Sequence, residues 1–372
     1  MNTHLASAFL PMLLAAHACP ADAGRLSPAL RRTWHSYLRT YLQDDGRVMD
    51  LSDERVTTSE GQAYALVRAA WMDDRPTLDL LLRWTRNNLQ HGDPGRLPAW
   101  RWGRRKDNTW GILDENSATD ADEWMAYALL IAAQRYHAPA YHDQALSLLA
   151  QIWDVEVMDV GGRLLPLPGP WARGKDPVPL NPSYLLMFAW RSFALADPSH
   201  PWASLIDPSY ALLAELMADD QLPPDWVYLS ASTGERMPAG TDKSAPDLFA
   251  FDAMRIPWTL AAEVRFYDDP RARHLLVTFA RLGTWWRSHG SIACRMRADG
   301  SPAADGEHVA LYGALLPAWG MARPEDADAL FEDEIAPRRG IWGRNNDYYG
   351  QNWAWLGVAL WSGLAVPPES LP

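Results

Sequence analysis

The chain is short of cysteine, of strand patterns and of positive charge, and each shortage removes a class of function. Only Cys19 and Cys294 occur in 372 residues, so neither a disulfide framework nor a cysteine-rich metal site can organise it. The ten histidines are scattered, with no His-Glu-x-x-His run, and no metal and no cofactor are expected. There is no phosphate-binding glycine loop, and no serine stands in a Gly-x-Ser-x-Gly setting. Nucleotide chemistry and serine nucleophiles are therefore disfavoured. The formal charge of −12 argues against nucleic acid, whose binders carry basic patches, and against anionic membrane surfaces.

What is abundant is apolar. Hydrophobic residues make up 48% of the chain, enough for a sizeable core. Tryptophan stands out at 20 residues; some of these fill the core, and others suit stacking on the apolar faces of sugar rings. Residues 1–23 resemble a secretory signal, with an apolar stretch from about Leu5 to Ala16 and small residues giving an A-x-A-like cleavage site. The basic residues that usually precede such a stretch are missing. The expectation is a mature chain of one domain, residues 24–372, periplasmic or secreted, monomeric and without a transmembrane segment.

From Leu26 on, helical patterns follow one another: 26–43, 59–73, 75–90, 118–137, 140–153, 182–195, 201–219, 247–266, 269–286, 306–319, 323–333 and 348–364. Strands are few and short, at 155–157, 164–165, 227–229 and 296–297. No βα alternation appears, which disfavours a parallel sheet. Stretches such as 124–133 and 353–361 are apolar on most sides, whereas 78–89 and 271–286 carry a polar face. All-round apolarity marks a buried helix and a single apolar stripe a surface one. Buried and amphipathic helices in alternation predict an all-α (α/α)6 double barrel, six helices inside and six outside, with a few short strands in its loops.

Three acids stand at the mouths of buried helices. Glu60 follows Thr57-Thr58-Ser59, Asp120 follows Ser117-Ala118-Thr119, and Asp252 lies among Phe249, Phe251 and Trp258. Each has a purely structural reading. Thr57-x-x-Glu60 and Ser117-x-x-Asp120 fit capping boxes, with Ser117 or Thr119 as the cap. Asp252 and Arg255 are spaced for an ion pair on one helix. The tryptophans at 100, 102 and 110 read as loop residues, with Trp100 and Trp102 the preferred sugar platforms and Trp171 a weaker one. Asp114, Asn116, Tyr184 and Arg255 are candidates to bind sugar hydroxyls or orient the acids. Tyr348-Tyr349 opens the last inner helix and is a further candidate to reach the cleft.

The run Ser117-Ala118-Thr119-Asp120-Ala121-Asp122, followed by Trp124-Met125-Ala126-Tyr127-Ala128-Leu129, resembles the signature of glycoside hydrolase family 8. Ser59-Glu60-Gly61-Gln62 and Phe251-Asp252-Ala253-Met254-Arg255 fall where that family has its other acidic motifs. Leu164-Leu165-Pro166 and Leu180-Asn181-Pro182-Ser183-Tyr184 resemble the branch secreted alongside bacterial cellulose synthase. Phe251 stands where that resemblance leads one to expect tyrosine, so a hydroxyl near the third acid is lost. The resemblance implies an inner and outer helical barrel and inverting hydrolysis of a β-1,4-linked glucan. It also implies association with the cellulose synthase machinery. By motif position Glu60 is then the general acid, Asp252 the general base and Asp120 a residue that binds and distorts the sugar. Their neighbours agree: an acid at the rim of an apolar bundle is raised by desolvation, and one beside an arginine stays ionised. Xylan and chitosan are alternative substrates, and a non-catalytic glucan-binding protein is the alternative from another class.

Overall fold

The computed structural model describes residues 23–238 and 247–371; residues 1–22 of the signal-like segment lie outside them. Among the described residues there are twelve α-helices: α1 (Ala23–Tyr41), α2 (Ser59–Trp71), α3 (Arg75–Asn88), α4 (Thr119–Tyr136), α5 (Pro139–Glu156), α6 (Met187–Ala196), α7 (Ile206–Leu216), α8 (Ile256–Tyr267), α9 (Pro270–His289), α10 (Val309–Ala322), α11 (Pro324–Leu330) and α12 (Tyr348–Ser362). The even-numbered helices touch in cyclic order and α12 closes the ring on α2. Each is backed by its odd-numbered neighbour, with α1 behind α12. This is the (α/α)6 double barrel that the alternation predicts.

Side-chain pattern decides which ring a helix joins. Every residue of α4 from Thr119 to Ala132 is buried, and α10 is buried from Val309 to Trp319. In α3 only Leu78, Leu81, Leu82, Trp84 and Thr85 are buried, one stripe of an amphipathic helix. Ten of the 20 indoles are essentially inaccessible, so the tryptophan excess is in large part packing. Along the barrel axis Trp124 meets Tyr64, Trp71, Tyr127, Phe188 and Trp258 at ring-centroid distances of 5.4–6.5 Å. Tilted and edge-to-face contacts of this kind suit the aromatic quadrupole, and they give the barrel a dry aromatic floor. The ring is tightest between α10 and α12, where a Cβ on Gly357 would lie 1.9 Å from the carbonyl oxygen of Gly313. Only glycine allows that approach.

The strands sit in the loops. β1 (Thr57–Thr58), β2 (Arg101–Arg104) and β3 (Trp110–Asp114) form one antiparallel sheet, β4 (Val157–Val160) and β5 (Arg163–Pro166) a hairpin, and β6 (Val178–Leu180), β7 (Val227–Leu229) and β8 (Arg236–Met237) a third sheet. Four expectations are corrected. The 100–110 stretch is not a free loop: Trp102 pairs with Thr57 and with Ile112 in register. Helix α5 runs on to Glu156, so the strand expected at 155–157 starts only at Val157. The helix expected from 182 begins at Met187, after a separate single turn at Pro182–Tyr184. The helix expected from 247 begins at Ile256, because Pro257 is tolerated only in a first turn. Asp252 therefore lies ahead of α8 rather than on it.

Candidate active site

Four of the six inner helices, α2, α8, α10 and α12, present their starts to one cleft of about 500 Å³. Glu60 from α2, Arg255 from just before α8, His308 from the start of α10 and Tyr348 from α12 line it together with Asp252. Positive helix ends favour acidic groups there. The capping is not what the spacing suggests. Thr58, not Thr57, caps α2, accepting from the Gly61 N–H at 3.0 Å, which leaves the Glu60 carboxyl free. The residue capping α4 is Ala118, which has no side-chain cap. The Ser117 hydroxyl instead donates to Glu156 at 2.5 Å. Asp120 accepts from the adjacent Ala121 N–H at 2.9 Å and turns its other oxygen to Arg255, behind the cleft lining.

All three acids meet on Arg255. Its Nη1 donates to Glu60 Oε1 at 3.0 Å and to Asp120 Oδ2 at 2.9 Å. Its Nη2 donates to Asp252 Oδ1 at 2.5 Å and to Ser183 Oγ at 2.7 Å. The spacing-based ion pair with Asp252 thus exists, as one spoke of a larger cluster. The Arg255 side chain is 5% exposed and that of Asp120 6%, against 20% for Glu60 and 32% for Asp252. Held on the two arms of one planar guanidinium, the nearest oxygens of Glu60 and Asp252 lie within about 8 Å of each other.

The charges do not balance, and protonation responds. Burial pushes the Glu60 carboxyl up to about 7; Arg255 opposes that rise and the charge of Asp120 adds to it. Asp120 is raised by the same burial, again against Arg255. Tyr64 donates to Glu60 Oε1 at 2.8 Å and Tyr348 to Glu60 Oε2 at 3.3 Å. Trp226 Nε1 donates to Asp252 Oδ2 at 3.2 Å. Two carboxyls gathered on one guanidinium, one of them pushed up to about 7, can serve acid/base attack on an acetal.

The sequence profile of the glycosyl hydrolases family 8 matches residues 1–317, a span that contains all three acids and Arg255. The chain belongs to glycosyl hydrolase family 8. An endoglucanase of Escherichia coli K12 is 32% identical over 336 residues, covering 89% of this chain and 87% of that one. An endoglucanase of Pseudomonas fluorescens SBW25 is 38% identical over 228 residues, 60% of this chain but only 57% of that protein's length. The crystal structure of an endo-1,4-D-glucanase from Vibrio fischeri ES114 superposes with a TM-score of 0.73 at 28% identity, covering 88% of this chain and 93% of that one. The protein is a glycoside hydrolase.

Within this family 8 barrel, the residues singled out from sequence fall into two groups. Glu60, Asp120, Asp252, Arg255 and Tyr184 form the cluster, the Tyr184 ring lying 5.3 Å from the guanidinium and its hydroxyl bonded to Asp120. Asp114, Asn116 and Trp100 form a second group at the β3 end of the hairpin. Asp114 accepts from the Asn116 amide side chain at 2.8 Å, and a bond from Trp100 holds its carboxyl below the usual range. The Ser59 N–H donates to the Trp100 carbonyl at 2.9 Å, so Trp100 adjoins the mouth of α2. Trp102 is stacked 5.4 Å from Trp110, lies edge-on to Trp84 at 5.3 Å and carries Arg47 at 4.4 Å. Tyr64, Ser183, Asp225, Trp226 and His308 are contributors that the reading of the sequence missed. Tyr64 alone carries a local signal, one helical turn after Glu60.

Proposed function

We propose that this family 8 hydrolase is an endo-β-1,4-glucanase that cleaves cellulose or a related β-glucan with inversion, Glu60 acting as general acid and Asp252 as general base. The reading rests on one observation: both carboxyls are tied to the same guanidinium, within about 8 Å of each other. That upper limit admits the roughly 6.5–9.5 Å of inverting hydrolysis and the roughly 5–5.5 Å of retention alike; the choice of inversion rests on family 8 membership. Glu60, protonated up to about pH 7, gives its proton to the leaving oxygen. Asp252, the more exposed of the two, takes the proton of a water on the opposite ring face. Asp120, gripped by Arg255 and Tyr184, holds the sugar at the cleavage point in a distorted ring. Trp100 offers a platform at the entrance, and Asp114 and Asn116 offer polar contacts beside it. A single domain over residues 24–372, a monomeric state, action outside the cytoplasm and association with cellulose synthesis complete the proposal. The endoglucanase relatives support the substrate class. No helix of the described residues is long and apolar enough to cross a membrane.

The test is reducing-sugar release from carboxymethylcellulose, xylan and chitosan in parallel, with the anomer of the first product read by NMR. Glu60→Gln and Asp252→Asn should each lose on the order of 10²–10⁴-fold in turnover on the glucan. Near wild-type turnover in either variant overturns the assignment, and a product of retained configuration overturns the mechanism.

A further inference from the structure

Asp252 occupies the N-cap of the single turn Ala253–Arg255, yet its side chain makes no capping bond. The Met254 and Arg255 N–H groups already bond to backbone carbonyls, so the N–H open to Asp252 is that of Ala253, the contact that Asp120 makes with its own neighbour Ala121. Here both oxygens are committed outward, one to Arg255 and one to Trp226. The Ala253 N–H is satisfied from elsewhere in the chain. Asp225 Oδ1 accepts it at 2.8 Å and also accepts the Ala250 N–H at 2.9 Å, so its two donors bracket Asp252. The Asp225 N–H in turn donates to the Leu248 carbonyl at 2.8 Å. Asp225 is itself fixed by the strand that follows it, since β7 is paired on both sides, to β6 and β8. The dipeptide Asp225-Trp226 thus holds the Asp252 turn twice, Asp225 by the backbone and Trp226 by the carboxylate.

We infer that Asp225 is a positioning residue for the general base: it caps the Ala253 turn in place of Asp252 and so keeps the Asp252 carboxylate facing the cleft. Without that cap, Asp252 has a local alternative: to fold back on the Ala253 N–H and withdraw from the water it must activate. The inference rests on the reading of Asp252 as base. Burial and the charge of Asp252 push the Asp225 carboxyl up to about 6. A proton on Oδ2 leaves Oδ1 free to accept both N–H groups, so the acceptor matters here rather than the charge, and an amide should serve.

The experiment compares Asp225→Ala, Asp225→Asn and Asp252→Asn in the full chain on carboxymethylcellulose, with a thermal melt of each. Asp225→Ala should lose on the order of 10²-fold in kcat with KM within about 3-fold, the signature of a displaced catalytic group. Asp225→Asn should recover to within about 5-fold of wild type. Retention of half or more of wild-type kcat by Asp225→Ala overturns the inference. So does equal inactivity of the asparagine variant, which would make charge the essential property. If Asp225→Ala does not fold, Asp225→Ser takes its place with the same outcomes, its hydroxyl being too short to reach both donors. An active Asp252→Asn refutes the base assignment instead, which separates the two failures.

Discussion

Replacing Tyr64 by phenylalanine isolates what tunes the proposed acid. The phenol donates to Glu60 Oε1 at 2.8 Å and stabilises the ionised carboxylate, so it pulls the Glu60 pKa down against burial. Removing it must move that pKa up. A hydrogen bond to a charged group contributes about 1.5–3 kcal/mol, and a pKa unit is about 1.4 kcal/mol, which gives one to two units. Arg255 and Tyr348 still donate to Glu60 in the variant, and the side chain is 20% exposed, so water replaces part of the loss. The lower end, about one unit, is the expectation. In a kcat/KM profile on carboxymethylcellulose, the alkaline limb should lie near pH 7 in the wild type and near pH 8 in Tyr64→Phe. The acid limb should not follow, because Tyr64 donates to no other acid. An alkaline limb that stays in place, or moves down, would mean that Glu60 is not the group titrating there or that Tyr64 does not govern it.

Two further outcomes separate function from packing. Trp100→Ala should raise KM for polymeric glucan by up to about tenfold, equivalent to about 1.4 kcal/mol, with little change in melting temperature. Trp102→Ala should instead lower stability by up to about 3 kcal/mol, since its ring is packed against Trp84, Trp110 and Arg47. Glu156 is fully buried; burial lifts its carboxyl from an ordinary 4.5 to about 7. The folded state then binds that proton more tightly than the unfolded one, so stability falls as pH rises from about 4.5 to 7. Glu156→Gln keeps an acceptor for Ser117 and reduces that slope, to which the buried Asp122 beside it, also raised by burial, still contributes. Its melting temperature should match wild type near pH 5 and exceed it at pH 8, and equal melting at both pH values would refute the reading.

The barrel was legible because burial on all sides leaves no polar face in the sequence, as in 124–133. Glu60 and Asp120 were legible for the converse reason, as acids in the first turn of helices that become almost wholly apolar after Gln62 and after Glu123. Their capping-box spacing misled because the hydroxyls went elsewhere, Ser117 to Glu156 and Thr57 to the Val48 carbonyl. Asp252 was found by its aromatic setting but placed on a helix, since the pattern continued upstream of Pro257. The hairpin carrying Trp102 and Trp110 was hidden because a short surface ribbon with arginines on it lacks a clean period of two. Asp225 and Trp226 were illegible altogether. They reach Asp252 across more than 25 residues of chain, through a sheet pairing that no local spacing announces.

A shared arginine solves one problem of such a site and leaves another. Three carboxyls at one cleft need a cation, and a buried cation needs partners; a single planar fork serves both needs and fixes the spacing. Because Arg255 bonds to Glu60 and Asp252 alike, it cannot make one an acid and the other a base. The asymmetry has to come from what surrounds each. Glu60 stands against the aromatic floor and shares an arm of the guanidinium with Asp120, so the nearest extra negative charge falls on it. Asp252 sits alone on the other arm with Ser183 and takes its remaining bond from an indole at the solvent edge. Moving the Asp120 charge should therefore act on Glu60, whose carboxyl it raises, which makes Asp120 part of the tuning of the proposed acid beside its proposed part at the sugar.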